Sequence, residues 1–330
     1  MVAMKPSSPL RSWACILLAS LSLGLSCNIQ AAFPDKPIKI VIGFPAGGPL
    51  DAHIRLLTDK LQSALGQPVL VDYKVGAGGT VGALFVAQAP ADGYTLLLAN
   101  TGTMVINPAI YTPPPYILLS DFQAVARTAQ QALGLIVNNE VPVKTLKEFI
   151  AYAKANPGKL NYGSAGNGGI SHLVPEMLKH ETGIEIVHIP FKGSAPAFTD
   201  LMAGHVQFMA ESIPQVANYA KQGKIKVLAV TSKTRSIALP DVPTVIETGV
   251  ANLEVVGFYG ILAPRNTPPE VIQKLSNAFK QALETPAIQE RMIAQGADPA
   301  FMGADQFTKF LTLETPRWAK VVKQAGAKLD

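Results

Sequence analysis

Residues 38–51 read Ile38-Lys39-Ile40-Val41-Ile42-Gly43-Phe44-Pro45-Ala46-Gly47-Gly48-Pro49-Leu50-Asp51. Ile38–Gly43 is a short, apolar-rich run of the kind found in buried parallel strands. A glycine-rich turn follows. A helix then starts at about Leu50, with Ile54, Leu57, Leu61 and Leu65 on one stripe, and Gly66 and Pro68 stop it. The unit repeats: Val69–Tyr73 reads as a strand, Thr80–Ala89 as a helix and Thr95–Asn100 as a third strand. Strands alternating with helices at this spacing predict an α/β, doubly wound parallel sheet.

Thr112-Pro113-Pro114-Pro115 breaks the pattern, and apolar runs follow at Ala124–Ala126 and Leu133–Asn138. Alternation then resumes. Thr145–Asn156 reads as a helix with Thr145 as its N-cap. Strands are expected at Leu160–Gly163, Glu185–Ile189, Val206–Met209 and Lys226–Val230, with helices at Ser171–Thr182, Ala195–Met202 and Pro214–Gln222. After a loop at Pro240–Pro243 comes an apolar run, Val255–Leu262, and then helices near Pro269–Leu283, Ala287–Ala294 and Ala304–Ala325. The expectation is two lobes, each a mainly parallel sheet flanked by helices. Residues 33–125 with 255–330 form one, and residues 126–254 the other. Two crossings between them would make a hinge.

The first 32 residues carry Lys5 and Arg11 and no acid, then an apolar stretch from Ala14 to Leu25, then Ala31 and Ala32 before Phe33. That is the anatomy of a secretory signal peptide, and the stretch is short for a membrane anchor. Both cysteines, Cys15 and Cys27, fall inside it. Cys27 loosely fits a lipoprotein cleavage site, but Gly24 stands three residues before it where a large aliphatic residue is expected. Without Lys5 and Arg11 the chain keeps 26 of its 28 basic residues against 23 acidic ones, a net +3. Those charges are scattered, which argues against a nucleic-acid partner. With 48% apolar residues in 330, the chain has ample core, and disorder or a disulfide scaffold is excluded.

Chemistry is concentrated in three glycine-rich turns: Pro45–Asp51, Gly76–Thr80, and Ser164-Ala165-Gly166-Asn167-Gly168-Gly169-Ile170-Ser171. Each lies where a strand ends and a helix begins, so free backbone N–H groups and a positive helix end can hold an anion. Ligands of open α/β sheets bind at these strand ends. A dinucleotide fingerprint fails, because Val81 stands where the third glycine belongs, and no Gly-Lys-Ser/Thr loop exists. There is no Gly-x-Ser-x-Gly elbow. The histidines His53, His172, His180, His188 and His205 make no zinc-binding pair, so no metal and no cofactor are expected. His172, beside Ser171, either hydrogen-bonds a ligand or stabilises its loop. Lys192-Gly193 and Glu211 follow strand ends in the second lobe, and Lys192 is a candidate partner for a buried Glu211.

Taken in order, IVIGFPAGGPLD (40–51), GAGG (76–79), ADGYTL (91–96), INP (106–108), NYGSAGNGGISH (161–172), HIPFKG (188–193), LAVTS (228–232) and ALPDVPT (238–244) resemble one family. It is that of the extracytoplasmic solute receptors of tripartite tricarboxylate transporters, the Bug proteins. The resemblance spans nearly the whole chain from Phe33. It implies a two-lobe periplasmic binding protein that closes like a Venus flytrap around a small carboxylate or related carbonyl compound. It implies delivery to the large and small membrane subunits of a permease, and a monomer. By position it implies first-lobe ligand contacts at Phe44, Ala46, Gly47, Gly48, Asp51, Gly78, Thr80 and Thr101. On the second lobe they fall at Ser164, Ala165, Gly166, Asn167, Gly168, Ser171, His172, Lys192, Gly193 and Glu211. Lys74-Val75, the segment Pro113–Ile117, and Glu211 in place of the usual Asp depart from the family pattern.

Two other readings fit the residues. The closed receptor could touch a membrane sensor in place of a permease. An enzyme could use His172, Lys192 or Glu211 as acid or base, although no paired catalytic constellation is evident.

Overall fold

The computed structural model describes residues 1–3, 33–191 and 193–327. The leader expected over residues 1–32, with its two cysteines, lies outside the described residues apart from its first three. So does Lys192. Contacts divide the chain at Asp35, and the fold lies in the unit from Lys36 onward.

Among the described residues ten strands build it: β1 (Ile38–Ile42), β2 (Val69–Tyr73), β3 (Thr95–Asn100), β4 (Phe122–Asn138), β5 (Leu160–Ser164), β6 (Ile186–Pro190), β7 (Phe208–Ser212), β8 (Ile225–Val230), β9 (Val256–Pro264) and β10 (Asp298–Gly303). They pair in the order β2-β1-β3-β9-β4-β7-β5-β6, with β8 and β10 also on β4. Two groups are parallel as the alternation predicts: β2, β1 and β3, and then β6, β5 and β7. The strands that close each group, β9, β10, β4 and β8, run antiparallel. Each sheet is therefore mixed.

β4 joins the two. Its residues Phe122–Ala132 pair with β9, and Leu133–Asn138 pair with β7 on one side and β8 on the other. In sequence this strand looks like two apolar runs, because Arg127, Thr128, Gln130 and Gln131 interrupt them. The fold satisfies the interruption. Arg127 Nε donates to the Ala300 carbonyl at 3.0 Å, and its guanidinium lies over the Phe310 ring at 5.2 Å. Thr128 is fully buried against His53, 2.9 Å from its Nε2.

Local signals explain the helices. The helix Pro49–Leu65 ends on Gly66, whose φ of +71° suits glycine and lets its N–H reach the Gln62 carbonyl. Thr145 caps the helix Leu146–Ala155: its hydroxyl accepts the Glu148 N–H while Glu148 accepts the Thr145 N–H. That reciprocal pair contributes about 1 kcal/mol. Aromatic pairs fill the cores, Phe258 edge-on to Phe310 at 5.0 Å and Phe149 stacked on Phe208 at 4.7 Å. A π-helical turn, Gly102–Ile106, follows β3, and its start borders the functional site. Among the described residues no helix is long and apolar enough to cross a membrane.

Candidate functional site

The strand ends converge on a cavity of about 730 Å³. Phe44 after β1, Asn100 and Thr101 at the end of β3, the loop Ala165–Gly169 after β5, and Glu211 and Ser212 of β7 all line it. Gln131–Leu133 of β4 and Gly257–Tyr259 of β9 complete the wall. Nine residues singled out from sequence are brought together here: Phe44, Gly78, Thr101, Ala165, Gly166, Asn167, Gly168, Ser171 and Glu211. Ala46, Gly47, Gly48, Asp51, Thr80, Ser164, His172 and Gly193 are set back from the wall.

On the β1 side, Asp51 braces the turn before its helix. Its carboxylate accepts the Gly47 N–H at 2.8 Å, the Tyr73 hydroxyl at 2.6 Å and Arg55 Nε at 2.8 Å. Arg55 also donates to the Tyr73 oxygen at 2.6 Å. Burial alone would raise the Asp51 pKa; the donors Tyr73 and Gly47 and the Arg55 charge reverse this and hold it below the usual carboxylate value. Asp51 and Gly47 are thus spent on each other, and the turn Pro45–Gly48 is fixed before any ligand arrives. Gly43 allows the second glycine-rich turn to lie against β1, since a β-carbon there would overlap the Gly79 backbone. The Gly78 carbonyl in that turn accepts the Thr103 hydroxyl and the Asn107 amide, each at 3.0 Å. Asn107 reaches the buried Thr80 hydroxyl as well, at 3.3 Å. The Thr101 hydroxyl accepts the Phe258 N–H at 2.8 Å and ties β3 to β9.

On the β5 side the histidines hold the loop. Gly168 N–H donates to His172 Nδ1 at 3.0 Å, so His172 keeps a lone pair there and is neutral. Its ring stacks on His188 with centroids 3.9 Å apart and planes 4° from parallel, and His188 stacks on Tyr162 at 4.8 Å. Burial lowers the pKa of both histidines, that of His188 to about 4 with the neighbouring His172 adding to the effect. Ser164 Oγ lies 2.6 Å from His188 Nε2 and accepts the Gly166 N–H at 3.2 Å. Ser171 Oγ accepts the Ala165 N–H at 3.0 Å, and Gly193 N–H donates to the Ala165 carbonyl at 3.2 Å. The next helix, Ile170–Thr182, begins at Gly169 with no capping side chain. Its first N–H groups therefore adjoin the cavity without a side-chain partner at the cap.

Glu211 is buried at 8% exposure. Ser194 Oγ donates to Oε2 at 2.6 Å, and Ser212 N–H donates to Oε1 at 2.9 Å. Burial raises its pKa, against these two donors. Sequence reading missed Ser194 as its partner, as well as the lining amides Asn100, Asn107, Gln131, Gln215 and Gln295. Asn100, as the last residue of a predicted strand, carried a positional signal; Gln295 carried none. No group of three or more His, Cys, Asp or Glu able to hold a metal occurs among the described residues.

Known proteins share this architecture. Residues 53–327 match the sequence model described as "Tripartite tricarboxylate transporter family receptor". Protein BugT of Bordetella pertussis is 36% identical over 308 residues, covering 93% of this chain and 94% of that protein. Rpa4515 of R. palustris, solved with adipate, superposes with a TM-score of 0.77 at 32% identity, covering 90% of this chain and all of the other. MatC of Rhodopseudomonas palustris, solved with bound malate, gives a TM-score of 0.73 at 31% identity, over 88% of this chain and all of the other. With matching sequence and matching fold over most of its length, the chain belongs to the receptor family of the tripartite tricarboxylate transporters.

Proposed function

We propose that the protein captures a small organic acid, or its amide, in this cavity and hands it to a tripartite tricarboxylate-type permease with a large and a small membrane subunit. The observation that carries the reading is the cavity itself: strand ends of both sheets line it, and the helix behind its second loop begins without a capping side chain. A carboxylate or carbonyl oxygen there would accept backbone N–H groups, which need no cationic side chain. Adipate in Rpa4515 and malate in MatC support this ligand class. The two lobes, residues 33–125 with 255–330 and residues 126–254, close around the solute because it touches both. The basic, then apolar, then small-residue leader supports export to the periplasm.

Thermal melting of the refolded, leader-free protein against organic acids and their amides tests the reading. At ~100 times the dissociation constant, a bound solute adds about 2.7 kcal/mol of stability, a rise of several degrees. A rise with one acid class is expected. A flat response across all acids and amides overturns the proposal.

A further inference from the structure

Asn100 ends β3 on the cavity wall. The Thr103 N–H, in the π-helical turn that follows, meets its side chain at 3.0 Å, and the Thr103 hydroxyl meets the same atom at 3.2 Å. A backbone N–H can only donate, so that atom is the carbonyl oxygen Oδ1. The other prong of the amide, Nδ2 with its two N–H donors, therefore points away from the turn. It has no partner among the described residues. Nor is it sealed in, since among those residues the buried side-chain atom left without a partner is His53 Nδ1. Asn107, on the same wall, differs: its Nδ2 is spent on Gly78 and Thr80. Asn100 thus brings to the cavity a donor that is fixed in direction before any solute arrives and that no described residue uses.

We propose that Asn100 binds the solute directly: Nδ2 donates to an oxygen remote from the acid group, while that acid group occupies the backbone N–H groups near Gly169. This rests on the receptor reading and narrows it to solutes with oxygen at two places, one for each sheet. Asn100 belongs to the sheet of β1, β2 and β3, and Gly169 follows β5 of the other. An amide N–H serves any oxygen acceptor, whether a second carboxylate, a carbonyl or a hydroxyl. Adipate and malate, the solutes of the two solved relatives, carry oxygen at both ends. An acid with a hydrocarbon tail would instead set carbon against the donor, and a desolvated donor without an acceptor costs affinity. Thr103, itself buried, holds the amide in place, so a solute does not have to order it on binding.

Calorimetric titration of the leader-free protein, cleared of bound solute by unfolding and refolding, decides it. The probes are matched triplets on two skeletons. One is adipate, hexanoate with a terminal hydroxyl, and hexanoate itself. The other is succinate, butyrate with a terminal hydroxyl, and butyrate itself. On at least one skeleton the diacid binds wild type about tenfold or more tightly than the monoacid, a gap of about 1.4 kcal/mol. Asn100→Asp then separates binding from bracing. Its carboxylate still accepts the Thr103 N–H but puts an anionic oxygen where Nδ2 was. The diacid should lose about tenfold or more through like-charge repulsion, while the monoacid is unchanged. The hydroxy acid, whose O–H can donate to Asp, should be kept. An Asn100 that only braces the turn would leave all three affinities in place, because the brace survives. Asn100→Leu removes the donor and should bring the diacid down to the monoacid; it decides the matter if Asn100→Asp loses all three solutes through a damaged fold. Diacid affinity unchanged in either folded variant overturns the inference and leaves the receptor intact. So does a monoacid that binds wild type as tightly as its diacid on both skeletons. No binding of any probe removes the receptor reading for these acids and the inference with it.

Discussion

Ile110 stands so close to Gly168 on the cavity lining that a β-carbon on the glycine would overlap its Cδ1. Gly168 also has φ near +71°, where a β-branched residue is strained. A side chain at position 168 would therefore have to push the Ile110 Cδ1 aside and take up a strained backbone conformation.

Gly168→Val should hold these two segments apart. We expect at least about a tenfold loss of ligand affinity with the secondary structure retained. Small-angle scattering should show a ligand-saturated variant as extended as the ligand-free wild type. Unchanged affinity would mean that the contact plays no part in capture. Ile110→Ala should recover part of the loss, because it removes the opposing Cδ1.

Asp51→Ala should act on the neighbouring turn. It removes the acceptor of the Tyr73 hydroxyl and the Gly47 N–H, and because both groups reach solvent the cost is about 0.5–1.5 kcal/mol in urea unfolding at neutral pH. Because the folded pKa lies below the unfolded one, Asp51 stabilises the protein fully above its unfolded value of 3.8. That stabilisation fades as pH falls through the folded pKa. The difference between wild type and variant should therefore shrink in acid. A variant as stable as wild type at neutral pH would show that the brace carries no energy.

Acid should also act through histidine. His53 is fully buried, its pKa pushed down to about 3 by burial alone, and its Nδ1 has no hydrogen-bond partner. His188 is lowered to about 4, and His172 is lowered too. The folded state thus binds fewer protons than the unfolded state, whose histidines titrate near 6.5. Stability should be level above that pH and fall below it, each histidine adding up to about 1.4 kcal/mol per pH unit. Urea titrations between neutral pH and about pH 5, before most carboxylates protonate, isolate the effect. His53→Gln should flatten the slope by about one proton's worth. A stability independent of pH across that window contradicts the assignment.

Sequence made some of this legible and hid the rest for physical reasons. Ile38–Ile42 and its helix were readable because apolar period, glycine turn and stop residues agree within 30 residues of chain. Thr145 and Glu148 were readable because a capping box is local. β4 was not read as one strand: it is covered on both faces in places, so alternation is lost, and its polar residues find partners 75 and 173 residues away in His53 and Ala300. The glycine turns announced the cavity through backbone freedom. Gln131 and Gln295 gave no such sign, because an amide side chain imposes no local conformation. Asp51 was visible, but its role depends on Tyr73, which only the packing of β2 beside β1 brings within reach.

The strand β4 carries one more consequence. The same continuous backbone is hydrogen-bonded to β9 in one sheet and to β7 and β8 in the other. In the proposed capture cycle, a turn of one sheet against the other would then twist this shared spine and leave its ladders whole, and the two cavity linings would keep their register along it.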